Sequence, residues 1–301
     1  MGVKASRSLA LPGHWPTWLV LVATWSAWTT ATLFHDLIPW WILAIVGGMV
    51  VCQYGSLQHE VIHGHLMKTV WLQRICTGLP LGFVVPLEVY RRSHVQHHRC
   101  ERLTDPLLDP ESFYHRQENW RQYPAWLRGL LVVNQTLLGR LLIGPWIVSA
   151  QFIHSQWRTY KAGDVSLAMI WLAHLSGIAV VSVWLIGTGA MPIWKYLVCF
   201  VWPGMSLTLL RSYNEHKPAE SGASPTQTVE AAWPFRILFL NNNYHALHHA
   251  RTDLPWYALH RVYWETKPDE INTSEISQNR FAGYTDIARR FLLKPKDSAV
   301  V

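Results

Sequence analysis

The chain is short of charge. Asp, Glu, Lys and Arg make up 15% of its 301 residues, against roughly 25% in ordinary soluble domains, while half of its residues are hydrophobic. A wholly water-exposed fold is therefore not expected. Acidic side chains are the scarcer sign, 19 against 26 basic, and no paired Glu-x-x-His motifs occur from which to build a carboxylate-bridged di-iron bundle. The four cysteines (Cys52, Cys76, Cys100, Cys199) form no C-x-x-C pair, so neither a disulfide framework nor a zinc ribbon is expected. There is no repeat of fixed period and no low-complexity tract. The first apolar run is too long for a secretory leader, and a second run follows it in place of a cleavage site. The net charge of +7 fits a surface lying against anionic lipid head groups better than it fits a nucleic-acid partner.

What the chain has in quantity is tryptophan and uncharged length. Trp occurs 18 times, as in proteins with aromatic belts at both membrane interfaces. The mean hydropathy is only +0.07, so a large polar portion must accompany any membrane portion. No charged residue occurs from Ser8 to His35, and residues 15–34 are long enough to cross a bilayer core. A turn at Asp36 and Pro39 leads into a second crossing over 38–58. Residues 166–187 give a third, and a turn at Gly189 and Pro192 leads into a fourth over 193–210, whose Lys195 is expected to snorkel to the interface. Ile75–Leu87, broken by Gly78, Pro80, Gly82 and Pro86, reads as an interfacial or re-entrant segment, Gly129–Gln156 as a surface-lying hairpin, and Pro218–Thr228 as a linker. The loops at 35–38 and 188–192 hold Asp36 but no Lys or Arg. The opposite side holds the basic N-terminus (Lys4, Arg7), the Arg-rich middle and the tail, and the positive-inside rule makes it cytoplasmic. The expected fold is an all-α integral membrane protein, a single domain over 1–301 with about four transmembrane helices and a helical cytoplasmic cap (59–165 and 211–301).

Three histidine clusters border these segments: His59-Glu60-Val61-Ile62-His63, His94-Val95-Gln96-His97-His98 and His245-Ala246-Leu247-His248-His249. On a helix, positions i, i+3 and i+4 share a face, so each H-x-x-H-H aims three imidazoles at one point. Neutral imidazole is the commonest side-chain metal ligand, and eight histidines exceed what one ion takes. A site with two metals is the economical reading, with His216, one short turn beyond the fourth crossing, as a ninth ligand. Zinc hydrolysis needs three protein ligands and an open position. An imidazole-rich pair of irons suits activation of dioxygen, here beside a membrane-borne apolar substrate. Asp105, Asp109 and Glu111 lie in a loop whose Asp-Pro pairs read first as turn formers, and secondly as partners holding histidine tautomers. Asn241–Asn243 read first as caps for the third cluster's helix and secondly as partners of a ligand imidazole. His65 is open between a supporting residue, an extra ligand and a water-facing one.

The three boxes, their order and the four-span layout resemble the membrane fatty-acid desaturase and hydroxylase superfamily. Gln58–His65, Tyr90-Arg91-Arg92-Ser93-His94, Asp105-Pro106 with Asp109-Pro110-Glu111-Ser112, and Asn242-Asn243-Tyr244-His245 running into Leu254-Pro255-Trp256-Tyr257 are similar to the short bacterial branch. The resemblance covers roughly residues 15–265. It implies a di-iron centre held by His59, His63, His94, His97, His98, His245, His248 and His249, with His216 as the family's additional histidine, and dioxygen as co-substrate. It implies an inner-membrane enzyme with its site on the cytoplasmic side, acting on a membrane lipid or acyl chain. The fused cytochrome b5 domain of some members, with its His-Pro-Gly-Gly motif, does not occur here. Electrons are then expected from a separate donor, a ferredoxin or rubredoxin system docking on the basic face. Acyl desaturation is the first expectation, and hydroxylation or ketolation of a lipid, carotenoid or small amphiphile is the alternative. Two remoter rivals are an H-E-x-x-H zinc protease with Glu60 as base and a metal transporter, for which His174 is the one ionisable residue deep in a predicted span.

Overall fold

The computed structural model describes residues 11–67, 69–218, 225–266 and 279–301. Lys4 and Arg7 of the basic N-terminus, and residues 219–224 of the expected linker, lie outside them. The helices are α1 (Trp15–Leu33), α2 (Trp40–Ile62), α3 (Val70–Thr77), α4 (Leu87–His98), α5 (Gln117–Gln122), α6 (Ala125–Val133) and α7 (Leu137–Leu142). They continue as α8 (Gly144–Lys161), α9 (Ser166–Thr188), α10 (Ile193–Ser212), α11 (Trp233–Leu238), α12 (His245–Ala250), α13 (Trp256–Glu265) and α14 (Tyr284–Phe291). Two short strands, β1 (Thr228–Val229) and β2 (Arg280–Phe281), pair in parallel. The chain divides into two compact units, 11–91 with 145–208 and 92–144 with 209–301.

In the first unit α2, α9 and α10 are long and apolar enough to cross a membrane, at about 30–35 Å each for a rise of ~1.5 Å per residue. The expected fourth crossing, α1, departs from them. It is a helix of 19 residues, but Trp15, Trp18, Trp25 and Trp28 and its five threonines hold its hydropathy below theirs. Backbone contact sets the approach of α10 to α2. A Cβ on Gly47 would lie 2.4 Å from the Cys199 carbonyl oxygen, one on Gly48 2.6 Å from Pro203 Cβ, and one on Gly204 2.6 Å from Val51 Cβ. Small residues let helices approach where lipid is as apolar as the helix surface. Pro203 has no N–H to give to Cys199, and the ladder widens to a π-type turn over Leu197–Val201. At one end of the unit the 34–38 and 189–192 loops lie together, with His35 Nε2 3.0 Å from Gly189 O. There the Lys195 ammonium pairs with Asp36 at 2.9 Å.

The apolar stretch Ile75–Leu87 is helical at its two ends, in α3 and at the start of α4, and irregular between. Beyond α3 its carbonyls have no ladder, and a helix bundle in lipid must satisfy such groups internally. Side chains from four helices do so. Trp25 Nε1 donates to Cys76 O (3.2 Å), Gln58 Nε2 to Thr77 O (2.8 Å), Tyr54 to Leu79 O (2.8 Å) and Tyr196 to Leu81 O (2.8 Å), while His174 Nε2 meets Phe83 O at 2.8 Å. Trp28 Nε1 in turn donates to the Tyr196 hydroxyl at 2.9 Å. His174, the one ionisable residue expected deep in a span, is thus bound to backbone.

The expected hairpin over Gly129–Gln156 is instead three helices, α6 and α7 of the second unit and α8 of the first. The interruption is chemical. The Thr136 hydroxyl caps α7 by accepting from Gly139 N at 3.0 Å. The buried Arg140 guanidinium donates to Asn134 O at 3.1 Å and lies over the rings of Phe113 and Tyr213. Tyr244, Leu247, Leu254, Leu259, Val262 and Tyr263 form the core between α12 and α13, which seats the histidines of α12.

Candidate metal centre

Within the first unit, His59 and His63 occupy the end of α2 with ring centroids 4.7 Å apart. Glu60 is buried beside them. Its carboxylate accepts from His65 Nδ1 at 2.9 Å and lies 3.6 Å from His59 Nδ1. His65 is therefore a buried partner of Glu60 and does not face water. A general base of the H-E-x-x-H kind has to offer its carboxylate to a metal-bound water; Glu60 gives that carboxylate to His65.

Within the second unit the remaining seven histidines converge. Helix α4 carries His94, His97 and His98, α12 carries His245, His248 and His249, and His216 follows α10. The ligand atoms of His97, His216, His245 and His249 lie within 4.8 Å of one another. Nε2 of His97 is 3.1 Å from that of His216 and 3.3 Å from that of His249, and Nε2 of His245 is 3.0 Å from that of His216. In a second grouping His98 Nε2 is 3.0 Å from His94 Nε2 and 3.2 Å from His248 Nε2. His97 and His98, adjacent in sequence, face different groups.

Carboxylates stand behind the rings. Asp109 accepts from His97 Nδ1 at 2.8 Å while also taking the amides of Thr104 and Glu111. Glu111 lies 3.3 Å from His94 Nδ1. Glu215, paired with Arg211 at 2.9 Å, lies 3.6 Å from His245 Nδ1. Asp105, by contrast, accepts the amides of Leu107 and Leu108, as a turn former does. The loop thus corrects the simple turn reading: Asp105 shapes the turn, and Asp109 both shapes it and holds His97. Asn241–Asn243 correct it likewise. The N-cap of α12 is Tyr244, with no side-chain cap. Asn242 instead donates to Glu215 at 3.0 Å and sets its oxygen 3.3 Å from His245 Nδ1, while Asn241 and Asn243 donate to the carbonyls of Trp256 and Val229. The partners Glu215 and Asn242 carry no spacing signal toward His245, 30 and three residues away, beyond the polar Arg211–His216 and Asn241–Asn243 runs themselves.

The family model for fatty acid desaturases matches residues 37–278, which include all three boxes. The chain belongs to the fatty acid desaturase family. No curated protein matches it significantly. Membership implies an oxidoreductase, and the family is known for di-iron sites.

The donor set of this desaturase-family chain fits metal on its own geometry. Where Nδ1–H donates to a carboxylate, Nε2 is left with a lone pair. Nitrogens bound at ~2.0–2.1 Å to one ion stand about 3 Å apart, the spacing these Nε2 atoms show at 3.0–3.3 Å. Burial, with the neighbouring imidazoles, pushes His98 and His216 down to about 3, and holds His245 and His249 well below the ordinary histidine range. These rings are neutral at physiological pH, the state a ligand requires. His97 is the exception. Burial lowers it, but the Asp109 hydrogen bond and the charges of Glu111 and Asp109 raise it overall, marking it as the most basic donor of its group.

Proposed function

We propose that the chain is a membrane-bound, non-haem di-iron desaturase that introduces a double bond into an acyl chain. One iron is held by His97, His216, His245 and His249 and the other by His94, His98 and His248, and His59 and His63 are further ligands on the family resemblance. The single observation that carries this reading is the convergence of imidazole Nε2 atoms with carboxylates behind their Nδ1 atoms. Bound iron would supply dioxygen activation and hydrogen abstraction from an unactivated C–H bond. The protein's own part is to hold Asp109, Glu111 and Glu215 against the ring Nδ1 atoms, fixing tautomer and ring orientation, and to keep the rings buried so that water does not compete. Four crossings, with α1 as the fourth, and a cytoplasmic site in a bacterial inner membrane complete the proposal, on the charge asymmetry of the loops. The exposed Arg92, Arg99 and Arg102 offer a separate acidic electron donor, ferredoxin- or rubredoxin-like, a docking charge.

The position of the reacting carbon relative to the irons decides between a second hydrogen removal and oxygen return. Mass spectrometry of total lipids from cells expressing the chain, beside a His97→Ala control, tests the reading. A species lacking two hydrogens, absent in the control, is the expected result. A species gaining oxygen instead replaces desaturation with hydroxylation, and the same product in the control refutes the site.

A further inference from the structure

His216 differs from two of its neighbours in the four-histidine group. His97 and His245 are steadied through Nδ1 by a carboxylate or an amide, whereas Nδ1 of His216 is buried with no hydrogen-bond partner among the described residues. Its ring is not oriented through the imidazole, so the backbone that carries it must do that work.

That backbone is pinned from the far end of the sequence. The ammonium of Lys296 donates to His216 O at 3.0 Å and to Gln227 Oε1 at 2.6 Å, and pairs with Asp297 at 2.9 Å. An ammonium has three N–H groups, and here each has an acceptor. The lysine side chain is only 4% exposed and lies over the Tyr213 ring. A buried charge is costly unless it is fully paired. The pairing is built to last: Asp297 also accepts from the Tyr114 hydroxyl at 3.0 Å, and Lys296 N donates to Gln135 O, which takes the Tyr213 hydroxyl as well. Farther along, His115 N donates to Ala299 O and Val301 N to His115 O. Gln227 N bonds Glu215 O at 2.8 Å and His216 pairs with Thr226 in an antiparallel bridge, so the lysine grips both of the paired segments, 215–216 and 226–227.

We propose that Lys296 is a positioning residue for the metal centre: through the His216 carbonyl it fixes a histidine whose Nδ1 has no hydrogen-bond partner among the described residues. The inference rests on the reading of His216 as an iron ligand. The test is an anaerobic titration of the metal-free, full-length chain in detergent with ferrous ion alone, against a competing chelator. Lys296→Met should leave one iron at wild-type affinity and weaken the other by about ten-fold, the scale at which supporting partners act on metal affinity, and Lys296→Arg should restore it. Both irons at wild-type affinity in Lys296→Met, or equal weakening of both, overturns the proposal. Should Lys296→Met not accumulate, Asp297→Asn decides in the same way, by weakening one iron or sparing both. His216→Ala separates the two readings. If it loses one iron while Lys296→Met keeps two, only the positioning role fails. If His216→Ala keeps two, or the unaltered chain binds fewer than two, the ligand assignment fails.

Discussion

Asp109→Asn removes one negative charge and exchanges one acceptor for a donor, at almost constant volume. One carboxylate oxygen of Asp109 takes His97 Nδ1–H and the Glu111 amide, and the other takes the Thr104 amide. If the asparagine oxygen stays on His97, its NH2 faces the Thr104 N–H and a buried donor is orphaned, at about 1–3 kcal/mol. The bond to His97 also loses its ionic character, which roughly halves its strength, and the ring becomes a weaker donor through Nε2. Loss of such support costs about 10–100-fold in metal affinity, or about 1.4–2.8 kcal/mol. Two measurements follow: ferrous titration of the full chain in detergent, and denaturant unfolding of the metal-free chain. Asp105→Asn is the control, since among the described residues that side chain bonds turn amides alone and should leave iron binding unchanged. Iron affinity within about two-fold of wild type in Asp109→Asn, with loss in His97→Ala, would refute the reasoning that carboxylate support tunes this site.

Three further outcomes are expected. The metal-free chain should lose stability on acidification. His98, His216, His245 and His249 bind protons less readily folded than unfolded, so stability is full above the unfolded value near 6.5 and falls as pH drops from there toward about 3. His97 and Glu215, both shifted upward, oppose this, and a stability maximum below pH 5 would contradict the four. Gly47→Ala should destabilise by about 1–3 kcal/mol through overpacking against the Cys199 carbonyl, while Gly55→Ala, with open space at its Cβ, should be neutral or gain up to about 1 kcal/mol of helix propensity; thermal melts in detergent compare them. Tyr196→Phe strips the donor from Leu81 O and the acceptor from Trp28 Nε1 and should cost about 1–3 kcal/mol for each buried group orphaned. Unchanged melting would show that those groups find other partners.

The histidine boxes were legible because ligand chemistry demands particular residues at helical spacing, and such spacing survives in one dimension. The helices α2, α9 and α10 were legible because uncharged length is itself a one-dimensional property. What sequence misjudged was partnership across long separations. Asp109 read as a turn former because its bonds to Thr104 and Glu111 are local, and the bond to His97 adds to them without displacing them. Asn241–Asn243 stand where caps stand, yet Tyr244 takes that position. The hairpin over Gly129–Gln156 failed because Arg140 is buried by rings of Phe113 and Tyr213, and the latter lies 73 residues on in the chain. Lys296 gave no signal at all: nothing local distinguishes it from a solvated tail lysine. In α1 the tryptophans and threonines that interrupt apolarity are the same ones that serve packing, with Trp25 and Trp28 both bonded to groups elsewhere in the unit.

The irregular stretch after α3 also imposes a timetable. The groups that satisfy Phe83 O and Leu81 O come 91 and 115 residues later in the chain. At a synthesis rate of about 5–20 residues per second, His174 and Tyr196 emerge some 5–23 s after the carbonyls they will cover. Until then those carbonyls need water, since lipid offers them nothing. The stretch therefore has to wait at the wet boundary of the bilayer while α9 and α10 are made, and it seats only when both have arrived. Insertion of this unit is completed by its middle rather than by its last helix.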